Sequence, residues 1–236
     1  MELLLINIIV FGAGLVQGLT GFGSALVAMP LLLLLLPMKI VVPLVAVLSL
    51  SINMVNFLRT KKSFEFGKMG LLTLMSFIGI PLGTFLLKNI EGGLIRKVFG
   101  GVLILLALYM IKKPELKLKL SRGLEVVWGV VAGLIGGMFN VNGPLVVSYV
   151  NLRERDIDKR VNQLASYFLV TGVGVVLSHL KQGLWNKSMI DYLVLMVPMV
   201  MGGAFLGGWW QERADRQMLG WLTNGLIMMA GVGLLS

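Results

Sequence analysis

A succession of long apolar stretches separated by short charged ones constrains this chain most. They cover roughly 3–36, 40–58, 67–87, 94–111, 124–150, 161–180, 188–210 and 217–235. Most have the ~20 residues that cross ~30 Å of hydrocarbon. Lipid offers no partner to an unpaired backbone N–H or C=O, so such stretches are helices. The alternation expected of barrel strands is absent. Composition agrees, with 57% hydrophobic and 14% charged residues in 236 and a mean hydropathy of +0.89. A soluble domain is usually ~45–50% apolar and ~25% charged. The predicted class is an all-α polytopic membrane protein with eight hydrophobic segments.

The chain repeats itself. Gly14-Leu-Val-Gln-Gly18-Leu-Thr-Gly21 aligns with Gly129-Val-Val-Ala-Gly133-Leu-Ile-Gly136, and Pro30 follows the first as Pro144 follows the second. Gly79 and Gly83 match Gly203 and Gly207, 124 positions on. The expected organisation is a first transmembrane repeat at 1–113, a charged linker at 114–120 and a second repeat at 121–236. Duplicated halves are common in secondary transporters.

The first segment of each half is unusual. Residues 3–36 would make a single helix of about 51 Å at 1.5 Å per residue, too long for one crossing and short for two. Gly18-Leu-Thr-Gly21-Phe-Gly23 lies in its middle, and each glycine disfavours helix by ~1 kcal/mol. Its counterpart, Gly136-Gly-Met-Phe-Asn-Val-Asn-Gly143-Pro144, interrupts a helix still more plainly. Segments 1 and 5 are therefore predicted to be broken, or re-entrant, at glycine-rich bends. Loop charges favour re-entry. If both segments return to their starting side, 15 Lys+Arg fall on one side and 6 on the other. The larger group then faces the cytoplasm, both termini face out, and the halves are inverted. The excess of 21 Lys+Arg over 11 Asp+Glu thus reads as membrane anchoring, with no nucleic-acid partner.

All eleven acidic residues lie at or near segment ends: Glu2, Glu65, Glu91, Glu115, Glu125, Glu154, Asp156, Asp158, Asp191, Glu212 and Asp215. An ion-driven pump usually buries a carboxylate within the membrane. Its expected absence leaves room for an anion. The broken segments supply what an anion needs, because a half-helix N-terminus presents free N–H groups and about +0.5 of a charge. Glycine lets a ligand approach the backbone. The predicted substrate-binding residues are Gln17, Gly18, Thr20, Gly21, Gly23 and Ser24 at the first bend, and Asn140, Asn142 and Gly143 at the second. Gly79, Gly83, Gly203 and Gly207 read as small residues that bring helices close.

Without cysteine, disulfides and thiol chemistry are excluded, and the single histidine, His179, cannot build a His-rich metal site. No cofactor is expected. His179 reads as interfacial. Paired with Ser24 it would suggest a serine protease dyad, a reading that leaves the duplication unexplained. Trp185, Trp209, Trp210 and Trp221 near segment ends suit an aromatic belt.

In these residues the chain resembles the sulfite exporter TauE/SafE family of membrane transporters. The cues are the duplicated Gly-x-x-x-Gly-x-x-Gly stretch followed by proline, and Gly79-Ile-Pro-Leu-Gly83 in the third segment. The resemblance covers essentially the whole chain. It implies a multi-pass protein of the inner (plasma) membrane that moves sulfite, organosulfonates or related small anions. Gly21-Phe22-Gly23-Ser24-Ala25 stands where the family typically has a glycine triplet, and Asn140 and Asn142 intrude in the second bend. These departures suggest a substrate with its own hydrogen-bonding demands. The resulting expectation is an exporter of a small, sulfur-containing anion working by alternating access. The alternatives are an ion-coupled importer of an organic sulfonate and an anion channel; no oligomeric state is specified.

Overall fold

The computed structural model describes residues 2–59, 66–112, 121–210 and 216–235. The expected linker 114–120 lies outside them, as do Glu65, Glu115, Glu212 and Asp215 and the side chain of Trp221. The described residues form ten α-helices and a short 3-10 turn, with no strand. The helices are α1 (Glu2–Thr20), α2 (Ser24–Leu32), α3 (Met38–Arg59), α4 (Gly70–Asn89), α5 (Gly92–Lys112), α6 (Arg122–Phe139), α7 (Gly143–Arg153), α8 (Ile157–Lys181), α9 (Lys187–Trp210) and α10 (Arg216–Leu235). Among them α1, α3, α4, α5, α6, α8 and α9 are long and apolar enough to cross a membrane. The eighth apolar stretch forms α10, which is not among those seven.

The long first and fifth stretches each break into two helices where glycine and asparagine permit it. Gly21 and Gly23 take φ of +84° and +106°, a region costly to residues with a Cβ. Asn140 ends α6 at φ 59°, and asparagine is among the few residues that visit this region. Pro144 sits in the first turn of α7, where its missing N–H would be unpaired anyway. Ser121 and Asp156 cap α6 and α8 by accepting from Leu124 N and Lys159 N.

Contacts fix the helix directions. Gly14 faces Val200 and Ala204, and Gly18 faces Ala204 and Gly208, so α1 and α9 run parallel. Gly79 faces Val130 and Gly133, and Gly83 faces Leu134 and Met138, so α4 and α6 run parallel. At each crossing a neighbour's carbonyl occupies the space of a missing side chain. A Cβ would lie 2.1 Å from Val130 O at Gly79 and 2.1 Å from Phe11 O at Gly203. At Gly83 and Gly207 the figure is 2.2 Å, against Leu134 O and Leu15 O. These glycines therefore bring helices into backbone contact. The partner in each case belongs to the other half of the sequence.

The chain doubles back at the second break. Arg153, at the end of α7, pairs with Glu125, in the first turn of α6, at 2.8 Å. Tyr167 and His179 of α8 lie beside Gly129 and Gly137 of α6, through Ser76 in the first case, so α6 and α8 run parallel. Helix α3 is antiparallel to α8. Asn53 bonds Phe168 O, Gly172 meets Leu50 and Asn53, and Ala46 packs with Val175. The ends of α3 and α7 and the starts of α4, α6 and α8 thus gather at one end of the molecule, with Arg153, Arg155, Lys159 and Arg160. Lys39, Lys88 and Lys181 mark the opposite end.

Exposed large hydrophobics, among them Leu74, Phe85, Leu105, Val194 and Phe205, cover the outer helix faces, as a lipid-facing surface requires. Trp209 and Trp210 are exposed at the end of α9 and suit the expected belt, whereas Trp185 packs against the main core.

Candidate functional site

The two breaks open onto one cavity. Its walls are Gln17 and Phe22–Leu26 from the first break, Gly136 and Asn140–Gly143 from the second, Ala46, Ser49, Leu50 and Asn53 of α3, and Phe168, Thr171, Gly172 and Val175 of α8. The last two groups are the middle turns of α3 and α8. The breaks also touch, since a Cβ on Gly143 would lie 3.1 Å from the Phe22 ring. The free volume is about 60 Å³.

Among the described residues no charged side chain lines this cavity; its polar walls are amides and hydroxyls. Ser24 Oγ lies 3.2 Å from Ser49 Oγ. Only one of these hydroxyls donates to the other, so one O–H remains. Ser24 and Ala25 open α2, and Gly143 opens α7. The first N–H groups of a helix lack intrahelical partners, so both short helices direct the positive ends of their dipoles at the cavity.

The sequence-derived candidates divide. Ser24, Gly23, Gln17, Asn140, Asn142 and Gly143 line the cavity; Gly18, Thr20 and Gly21 do not. Gly18 is a packing glycine, where a Cβ would meet Ala204 O at 2.3 Å. Thr20 faces outward, its hydroxyl lying against Val16 O and Phe22 O. Gly21 is exposed and supplies backbone conformation. Gln17 is engaged at both ends of its carboxamide. Nε2 donates to Asn53 Oδ1 at 2.9 Å and Oε1 accepts from Ser24 N at 3.2 Å, which ties the first break to α3. Asn140 uses one Nδ2–H on Val42 O at 3.1 Å.

Ser49, Asn53, Phe168 and Thr171 were not among the candidates. The spacing of Ser49 and Asn53 on α3 carried a signal, because polar residues four apart in an apolar helix share one face. Phe168 offered no such signal.

His179 lies in the last turn of α8 and faces the protein interior. It is fully buried, and Nε2 donates to Gly137 O at 2.9 Å near the end of α6, where carbonyls lack helical partners. It makes no dyad with Ser24, whose hydroxyl partner is Ser49. Glu125 is buried but paired. It accepts from Arg153 at 2.8 Å and from the Tyr149 hydroxyl.

No curated protein and no solved structure gives a significant match to the chain. The family model for the sulfite exporter TauE/SafE matches residues 6–234. The chain therefore belongs to the sulfite exporter TauE/SafE family and is a multi-pass membrane transporter of that type.

Proposed function

We propose that this transporter exports a small sulfur-containing anion, sulfite or an organosulfonate, across the cytoplasmic membrane by alternating access, and that it is not an enzyme. One observation carries this reading: two chain breaks, one in each half of the sequence, open on a single uncharged cavity with a helix N-terminus at each. The anion is held by backbone N–H groups of α2 and α7, with Ser24, Asn140 and Asn142 adding side-chain donors. Residues 1–113 and 121–236 act as inverted repeats, a design in which alternating access follows from rocking about a fixed site. The end carrying Arg153, Arg155, Lys159 and Arg160 faces the cytoplasm. An inside-negative potential then drives export of a monoanion by ~2.3 kcal/mol per 100 mV without a coupling ion.

Flux of a panel of small anions into proteoliposomes tests the proposal. Saturable flux selective for sulfur oxyanions or sulfonates is the expected result. Unsaturable conductance would make the protein a channel, and uptake strictly dependent on an ion gradient would make it a coupled importer.

A further inference from the structure

The donors around the cavity fall on three of its walls. Ser24 N donates to Gln17 Oε1 at 3.2 Å, Gln17 Nε2 donates to Asn53 Oδ1 at 2.9 Å, and Asn53 Nδ2 donates to Phe168 O at 3.4 Å. Both ends of this relay are fixed, because a backbone N–H only donates and a carbonyl only accepts. The orientation of each carboxamide between them follows. Asn53 Nδ2 carries two hydrogens, and Phe168 O takes one. The other belongs to a buried side chain that forms part of the cavity wall, and among the described residues no second acceptor meets it. The two breaks supply further donors. The Ser24–Ser49 hydroxyl pair keeps one O–H, and Asn140 keeps the Nδ2–H not used on Val42 O. The α8 wall supplies no side-chain donor. Thr171 spends its proton on Tyr167 O at 2.7 Å, and Phe168, Gly172 and Val175 carry no polar side chain.

We infer that Asn53 is a substrate-binding residue that selects anions with three oxygens over carboxylates, with the α8 wall facing the part of the anion that carries no oxygen. A sulfonate group directs three oxygens to one side and its carbon to the other. Each donor wall, the first break, the second break and α3, meets one oxygen, and the carbon rests against α8. Sulfite has the same three oxygens and a lone pair in place of the carbon. A carboxylate is planar and has two oxygens, so it leaves one wall without a partner. A buried donor left unpaired is costly, and a site built to bond a group rejects the analogue that lacks it. Gln17 acts here as a positioning residue. It keeps Asn53 Oδ1, which would repel an anion, engaged with Nε2, and so leaves Nδ2 as the end that Asn53 offers. This inference rests on the anion-binding role proposed for the cavity.

The test measures inhibition of sulfite flux into proteoliposomes by methanesulfonate and by acetate. The two share their charge and a methyl group and differ in oxygen count. The wild-type protein should prefer methanesulfonate roughly ten-fold or more. Asn53→Ala should weaken methanesulfonate roughly ten-fold and acetate less than about three-fold, so that the preference is largely lost. Gln17→Met leaves Asn53 in place and frees Ser24 N–H, which acts on both anions, so the preference between them reads the Asn53 amide. That preference should fall roughly three-fold, and Gln17→Met should not change it in the Asn53→Ala background, because the two act through one group. Gln17→Met also carries the readout if Asn53→Ala does not insert into the membrane. Equal weakening of both anions by Asn53→Ala, or a loss of rate or thermal stability with the preference intact, would indicate a merely structural role and overturn the inference. Equal inhibition of the wild-type protein by the two anions would overturn it as well. Saturable sulfite flux in the wild-type protein leaves the proposed function standing in these cases, and its absence would remove both.

Discussion

The two breaks perform the same reversal with different chemistry. The first, at residues 21–23, relies on glycines with φ of +84° and +106°, and the end of α2 runs into the apolar Leu33–Leu36. The second, at residues 140–142, relies on the left-handed Asn140, and its base is fastened by the Glu125–Arg153 pair, with Arg153 also stacked 5.6 Å over the Tyr149 ring. Trp128 Nε1 further ties α6 to Leu145 O of α7. The first hairpin is held instead by its contact with α3, through Gln17 and Asn53. One backbone shape is thus reached with positive-φ glycines and the Gln17–Ser24 N bond on one side, and with a left-handed asparagine and an ion pair on the other. The second hairpin should be the stiffer body and the first the mobile one.

The largest expected effect breaks the contact between the hairpins. Gly143→Leu drives a side chain into Phe22, whose ring a bare Cβ already approaches to 3.1 Å. Flux should be abolished while membrane insertion persists. Flux near the wild-type rate would mean that the breaks need not meet.

Unfastening the second hairpin comes next. Glu125→Ala leaves Arg153 without its buried carboxylate, and removal of one partner of such a pair costs about 3–5 kcal/mol. Thermal unfolding in detergent should show a clear loss of stability. Among the described residues the first hairpin shows no equivalent ion pair. An unchanged unfolding temperature would remove the asymmetry drawn here.

Donor loss sharpens the comparison. Hydrogen bonds to a charged ligand are typically worth ~1.5–3 kcal/mol, so Asn142→Ala should weaken apparent affinity roughly 10–100-fold. Ser24→Ala should cost less, about ten-fold at most, because the Ser49 hydroxyl beside it remains. The reverse order would make the first break the dominant contributor.

The smallest effect separates shape from binding. Gly21→Ala meets open space, so it should cost only the left-handed backbone penalty of about 1–2 kcal/mol in stability. Apparent affinity should be unchanged. A fall in affinity would return Gly21 to the site.

Hydropathy and the glycine–proline spacing suffice for an all-helical membrane chain and for broken first and fifth segments, and six of the nine residues they single out lie on the cavity wall. These are properties of short windows: lipid forces helix on any long apolar run, and glycine or asparagine interrupts it locally. Gly18, Thr20 and Gly21 belong to the same window as Ser24 but face other ways, because the rotation of a helix relative to its neighbours is not written in spacing. The burial of His179 against Gly137 O and the Ser76–Tyr167 hydroxyl pair were equally hidden, since their partners lie 42 or more residues apart. Only the tertiary structure places α1 against α9 and α4 against α6, across the halves. Glycine spacing declares that a helix has a close partner, but which carbonyl fills the gap depends on how all the helices pack together.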